Sequence, residues 1–266
     1  MPLQQMKRAL ERIDEFAAKQ GGGWFTKFSR AEVARDVKSR VLAPIAVYQR
    51  DSMHCGPAAL AYGLASDQPD KYVKFVTDLY DYGCTLIGRG NTGIDSIRPG
   101  EQLRTYRPPG NSFQSADWIF MASIRDSSNW FFDIDTPSDS IMQAGTSPRE
   151  MYWWIMRCGY MNVEDHTRLY GGKEELLHLA QSYYSRKHRV FLWVNSAVLN
   201  DPTSSWSIKP NHFAVLASPI KIGRDTVQMK VWSWRQEIDW SLATGNRNVS
   251  KQNFLDHYYG FFAAQY

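Results

Sequence analysis

At 266 residues and 30.6 kDa, with 43% hydrophobic and 22% charged residues, the chain is long enough to bury one substantial core or at most two small ones. No apolar run approaches the roughly 18 residues of a membrane helix; the longest candidates, Val41 to Tyr48 and Phe261 to Ala264, are short and punctuated, so no membrane span is expected. The net charge of +4 comes from residues 1–40, where nine Lys/Arg face five Asp/Glu, while the remaining 22 basic residues are matched by 22 acidic ones. So balanced a body lacks the basic stripe that a nucleic-acid face requires, and no nucleic-acid partner is expected. Lys7, Arg8, Glu11, Arg12, Asp14 and Glu15 interrupt the N-terminus, which argues against a secretory signal peptide and for a protein that is cytoplasmic as synthesised.

In chain order, Leu3, Met6, Leu10, Ile13 and Phe16 recur at steps of three and four, the pattern of an amphipathic helix ended by Gly21 to Gly23. Ser29 with Glu32 is a capping-box pattern that opens a second helix from Arg30 to about Val41. We read residues 1–42 as an N-terminal helical extension and 43–266 as one domain. From Ala43 to Ser52 the chain reads as an extended approach, and Gly56-Pro57-Ala58-Ala59-Leu60-Ala61 then opens a helix that Asp67 to Pro69 close. Another helix follows over about Asp70 to Tyr82. The glycines and prolines between Gly83 and Ser115 predict a long loop of the kind that carries function. Ser115 is expected to cap a short helix over Trp118, Ile119 and Met121, and Ser147-Pro148-Arg149-Glu150 to start one running to Cys158. A last large helix is expected over Lys173 to about Arg186. Beyond it Val190–Val194, His212–Ile220, Thr226–Trp234 and Tyr258–Ala264 are short, β-branched and aromatic, and predict an antiparallel sheet. Helices first and strands afterwards make the expected class α+β, a helical half packed on a C-terminal sheet.

Three cysteines, Cys55, Cys84 and Cys158, are too few and too scattered for a disulfide framework, and no C-x-x-C pair offers two zinc ligands. Cys55 differs from the others because it stands at the mouth of a predicted helix, where backbone N–H groups and the positive end of the dipole favour a thiolate. Gln49, six residues earlier on the approach segment, offers an amide that could join the Cys55 N–H in binding an oxyanion. Of the six histidines, His212 is the best placed base, since it opens the apolar strand His212-Phe213-Ala214-Val215-Leu216 after a polar loop. His54 neighbours Cys55 in sequence, which usually points its ring elsewhere. The order of cysteine on a helix, then histidine on a later strand, fits a cysteine nucleophile. Trp153, Trp154, Trp193, Trp232 and Trp234 are read as core or cleft lining.

On the residues Gln49 to Leu64, and more loosely His212 to about Phe262, the chain resembles the papain-like cysteine peptidase superfamily, closest to bacterial double-glycine leader peptidase-like and papain-like toxin and effector domains. They share a glutamine six residues before a Cys-Gly-x-Ala helix start and a histidine that begins a strand. The resemblance implies a nucleophilic Cys55, a general base His212 and an oxyanion donor Gln49, with no metal or organic cofactor. The third member of such a triad is an Asn or Asp on the strand after the histidine; here that strand reads Lys230-Val231-Trp232-Ser233-Trp234-Arg235-Gln236, with Trp232 at the asparagine position. Ser233 is the candidate for the orienting role, with Gln236 and Asp239 as alternatives. Family analogy implies a bacterial toxin or effector exported by a signal-peptide-independent secretion system, with a protein substrate and a cognate inhibitor or immunity protein as partners. The residues leave open a protease, a glutamine deamidase or a transferase, and a catalytically decayed binding module on the same scaffold.

Overall fold

The computed structural model describes residues 3–49, 54–88, 96–108, 113–127, 146–184, 187–200, 209–240 and 250–266. Helices and an antiparallel sheet make the protein α+β. The chain divides into two compact units, Met1–Ala144 with Trp153–Gly159, and Gly145–Tyr152 with Tyr160–Tyr266.

The first unit is built from α1 (Leu3–Ala18), α2 (Arg30–Leu42), α3 (Cys55–Asp67), α4 (Pro69–Tyr82) and α5 (Ser115–Asp126). Its centre is α3, which is small and apolar all round and accordingly buries every residue except Ser66. Against it pack α4 and α5, with Phe75 and Phe120 stacked at 4.2 Å between ring centroids. In α1 the buried stripe is Ala9, Ile13 and Phe16, while Leu3, expected on the apolar face, is exposed at 91%. Phe16 meets Tyr80 of α4 edge-on at 5.4 Å, and the Arg30 guanidinium lies over both rings while binding Asp81 at 2.5 Å. The helices read as an extension therefore share a core with α4. Ser29 caps α2 as expected, its Oγ accepting from the Glu32 N–H at 3.2 Å, whereas the Glu32 carboxylate pairs with Arg107 at 2.8 Å.

The approach to α3 is less extended than expected, because Pro44–Ala46 form a 3-10 turn before the chain straightens at Val47. The loop between Gly83 and Ser115 holds a second 3-10 turn, Glu101–Thr105, and an isolated bridge between Thr85 and Ile97; residues 89–95 and 109–112 lie outside the described residues. Ser115 is not the cap of α5. Gln114 holds that position, and Ser115 donates its N–H and Oγ to Asp36 of α2, at 2.9 and 2.7 Å. The fully buried position of Ser115 explains the change, since a buried hydroxyl must find a partner and the carboxylate offers a stronger bond than a helix-end amide.

Helix α6 (Pro148–Arg157) starts with the reciprocal capping expected of it: Glu150 N–H donates to Ser147 Oγ at 3.2 Å and Ser147 N–H to the Glu150 carboxylate at 2.8 Å. The second unit then runs through β1 (Met161–Asp165), α7 (Lys173–Tyr184), β2 (His188–Val194), α8 (Ala197–Asn200), β3 (His212–Leu216), β4 (Lys221–Ile222), β5 (Val227–Gln228), β6 (Lys230–Ser233), β7 (Gln236–Asp239), α9 (Lys251–His257) and β8 (Tyr258–Gln265). Among the described residues six strands form one antiparallel sheet in the order β1-β8-β2-β3-β6-β7, and β4 and β5 form a separate hairpin. On one face Leu192, Ala214, Leu216 and Val231 pack with Leu176, Leu177 and Ala180 of α7 in a continuous core. Phe191, Phe213, Val215 and Trp232, alternating with them, are buried too, which is why these strands read as unbroken apolar runs. Of the expected strands, β2 and β8 run slightly longer than expected, His212–Ile220 shortens to β3, and Thr226–Trp234 divides into β5 and β6, while β1, β4 and β7 were not anticipated. Their short, largely exposed stretches lack the alternation that marks a half-buried strand.

Past β1 the chain lies across β8, with His166 N–H donating to Phe261 O and Arg168 N–H to Tyr259 O, both at 2.9 Å. Only glycine allows this at position 260, where φ is +101° and a Cβ would stand 2.1 Å from His166 O. Gly171 also has a positive φ, +69°, but nothing lies within 4 Å of its would-be Cβ. Gly260→Ala is therefore expected to lower the unfolding free energy measured in urea by at least about 2 kcal/mol, from left-handed strain plus a backbone displacement, and Gly171→Ala by about 1 kcal/mol from strain alone. Equal losses at the two sites would contradict the close approach.

Candidate functional site

Cys55 is the first residue of α3 and is 4% exposed. The helix begins there because His54 adopts a non-helical φ of −90° and ψ of 28° while its carbonyl accepts the first helical bond, from Ala58 N–H at 2.8 Å. Gly56 and Pro57 complete the first turn, both buried, the proline where a missing N–H costs nothing. Gln49, 7% exposed, ends the approach segment, and residues 50–53 between it and His54 lie outside the described residues. All three cysteines are thiols outside any disulfide bridge. Burial pushes the Cys158 thiol far up, out of reach of ionisation, against the pull of Lys71 and Arg157.

His54 belongs to the core beside α5. Its ring meets Phe113 and Trp118 edge-on at 6.3 and 6.4 Å, and burial, with a smaller contribution from Arg125, lowers its pKa to about 4. It is a neutral imidazole at physiological pH.

Three residues of the sheet unit form a compact group. His212 opens β3 at 4% exposure, and Ser233 ends β6 at 1%. The pairing of Val215 with Trp232 and Leu216 with Val231 puts even-numbered β3 residues and odd-numbered β6 residues on one face. His212 and Ser233 share that face and meet, Nε2 to Oγ at 2.7 Å. Beyond Ser233, a two-residue turn carries the chain into β7, with Trp234 at φ 46° and Arg235 at φ 68°. Successive positive φ values are those of the hairpin turn that matches sheet twist, usually made by Asn and Gly. Here a tryptophan bears the strain, and its indole stacks on the His212 ring at 4.6 Å and 30°. Burial lowers the His212 pKa to about 4.

Of the residues singled out from the sequence, His212 and Ser233 are brought into contact, and Cys55 and Gln49 stand in the helical unit on either side of residues 50–53. Gln236, an alternative orienting residue, pairs instead with Ser233 across the hairpin, and Asp239 lies opposite Lys230. Of the remaining histidines, His166 approaches Glu164 at 3.3 Å, His257 Nδ1 lies 2.9 Å from Asn253 O, and His188 opens β2. Trp234's stacking on His212 escaped sequence reading, although the absence of Gly or Asn in a two-residue hairpin was a signal. Among the described residues no group of three or more His, Cys, Asp or Glu could hold a metal ion, and no helix is long and apolar enough to cross a membrane. No protein-family model, curated protein or solved structure matches the chain.

Both buried histidines have pKa values of about 4, below the ordinary 6.5, so on acidification the unfolded chain takes up their protons first. Their neutral burial is harmless above pH 6.5, and stability is lost between about 6.5 and 4, by about 3 kcal/mol for each at ~1.4 kcal/mol per pH unit. Urea midpoints measured from pH 7.5 to 4 should fall steeply, and His54→Gln should flatten that fall. An unchanged slope in the variant would show that His54 is not the group titrating.

Proposed function

We propose that the protein is a papain-like cysteine hydrolase that attacks an amide bond of a protein substrate through a thioester on Cys55. The observation that carries the reading is the fixed His212: with Nε2 on Ser233 Oγ at 2.7 Å under the Trp234 indole, the imidazole is held in one orientation and Nδ1 is the nitrogen left to exchange a proton with a thiol. Further support comes from Cys55 at the head of a helix buried at every residue but Ser66 and from Gln49 on the segment leading to it.

In the proposed reaction the Cys55 sulfur bonds to the amide carbon as its proton passes to His212 Nδ1, and the Nε2–H donates to Ser233 Oγ. With a pKa of about 4, His212 is neutral before the attack, so it acts as a general base and not as one half of a standing ion pair. The oxyanion takes donors from the Cys55 N–H and the Gln49 amide. Collapse breaks the C–N bond, His212 returns the proton to the leaving amine, and water then cleaves the thioester by the same route to give a carboxylic acid and the restored thiol. A peptide amine as leaving group makes the enzyme a protease, and ammonia from a glutamine side chain makes it a deamidase. The mechanism requires Cys55 Sγ and His212 Nδ1 to reach hydrogen-bond distance, a pairing that rests on the sequence resemblance. We further propose, on that resemblance, a bacterial toxin or effector with a cognate immunity protein.

The second reading, a decayed binding module, draws on one observation: His212 is oriented by a hydroxyl where an amide or carboxylate would stabilise an imidazolium better. Thiol labelling separates the two. Iodoacetamide at neutral pH should modify Cys55 well before Cys84 and Cys158, and Cys55→Ala or His212→Ala should abolish activity, while Gln49→Ala should lower turnover by about 10² to 10³ with little change in binding. Expression in a target cell should be toxic only with Cys55 intact, and mass spectrometry of that cell's proteins should show new termini or glutamine-to-glutamate conversions. Equal slow labelling at all three cysteines, together with activity unaffected by Cys55→Ala, would leave only the binding module.

A further inference from the structure

We infer that Asp117, held by Arg40, is a positioning residue that aims Gln49 by anchoring the backbone one residue before it. The inference rests on the reading of Gln49 as an oxyanion donor. Arg40 stands in the last turn of α2 and Asp117 in the first turn of α5, at 2% and 1% exposure. Arg40 Nε donates to Asp117 Oδ1 at 2.9 Å and Nη2 to Oδ2 at 2.5 Å, a two-pronged pair that fixes the carboxylate plane. Nη2 also donates to Gln114 Oε1, and Nη1 to Ser39 Oγ at 3.4 Å, so the guanidinium is held from three sides.

What this network grips, besides the two helices, is the strap leading to Cys55. Tyr48 N–H donates to Asp117 Oδ2 at 3.3 Å. Upstream the strap is already constrained, with Ala43 N–H on Ser39 O at 2.9 Å, Val47 N–H on Pro44 O at 3.1 Å, and the Val47 side chain fully buried. From α2 to Tyr48 the backbone therefore has successive anchors, and the carboxylate is the last described before Gln49. An oxyanion donor displaced by about 1 Å loses much of its effect, so an anchor adjacent to it controls the transition state without touching substrate.

The test separates steps that need the oxyanion from one that does not, on the full-length protein. With p-nitrophenyl acetate the Cys55 sulfur bonds to the acetyl carbon through an oxyanion, and the C–O bond breaks to release p-nitrophenolate. With iodoacetamide the same sulfur displaces iodide and no oxyanion forms. The variant Arg40→Met/Asp117→Leu replaces the pair with apolar bulk, an exchange that buried pairs often tolerate. It should still unfold cooperatively and keep the wild-type alkylation rate, and lower the ratio of acylation to alkylation at Cys55 about tenfold or more. Adding Gln49→Ala should lower the ratio no further, because both changes remove the same donor. Asp117→Asn, which keeps an acceptor for Tyr48 N–H, should restore part of the ratio. If the double variant does not fold, Arg40→Lys, which keeps the charge and loses the fork, carries the same comparison. An unchanged ratio in a folded variant, or a loss that adds fully to that of Gln49→Ala, overturns the inference. If Gln49→Ala alone leaves the ratio at the wild-type value, the oxyanion role itself fails, and the positioning role falls with it.

Discussion

A guanidinium and a carboxylate taken out of water cost several kcal/mol each before their attraction is counted, and only close geometry with further hydrogen bonds offsets that cost. In the helical unit Arg40 and Asp117 meet this condition with a two-pronged contact, Gln114 and Ser39 on the arginine and the Tyr48 amide on the aspartate. Burial pushes the Asp117 carboxyl up against the pull of Arg40; on Arg40 burial is the largest single influence and lowers its pKa, but the bond and charge of Asp117, with the smaller influences of Tyr72 and Asp36, together raise it. With both oxygens engaged by donors, the ionised pair is the state the surroundings fit. Its consequence is topological: the end of α2, the start of α5 and the strap before α3 must all come to one point. Residues 1–42 thus contribute, through Arg40 and the Phe16–Tyr80–Arg30 contacts, to the same core that holds the helix bearing Cys55.

The sheet unit solves a different problem. An imidazole has to be kept neutral, oriented and nearly dry at the start of a strand, where backbone order is least assured. Burial deals with the charge, and strand register delivers Ser233 to Nε2. The strained turn at Trp234 and Arg235 supplies the third element: with both residues at positive φ it reverses the chain immediately after Ser233 and returns it as β7. Backbone strain of this kind costs of order 1 to 3 kcal/mol per residue and persists where the surroundings impose it. Stacking of the indole on His212 at 4.6 Å is the visible return for that strain.

What could be read from the sequence was local in origin. The caps at Ser29 and Ser147, and the helix opening at Cys55-Gly56-Pro57, depend on residues within a turn of one another, and the structure has them. The apolar strands β2, β3, β6 and β8 were legible because burial on both faces leaves an unbroken signature. Partnerships across long separations were not legible. Ser115 looked like a cap because Ser at a helix start usually is one, and only the fold brings Asp36 to it from 79 residues away. Arg40 and Asp117 are likewise 77 residues apart, and nothing near either residue marks it as buried. At the candidate site, Ser233 could be named from its position after Trp232, but the stacking of Trp234 depends on a backbone conformation that bulky residues seldom adopt.

The choice of serine as the partner of His212 bears on the kind of cysteine chemistry proposed. A carboxylate or amide behind the imidazole would stabilise the imidazolium, and a thiolate–imidazolium pair could then stand ready before substrate arrives. A buried hydroxyl gives a weaker dipole, and with a histidine pKa of about 4 such a pair would be costly in the resting protein. The proposed nucleophile must therefore lose its proton as the carbon–sulfur bond forms, with the positive end of α3 sharing the stabilisation of the sulfur. Most of the barrier then falls on the oxyanion, whose charge appears at the same moment. Donor placement matters more under these conditions than thiol acidity, which is why the strap carrying Gln49, and the buried pair that holds it, sit at the centre of the proposed mechanism.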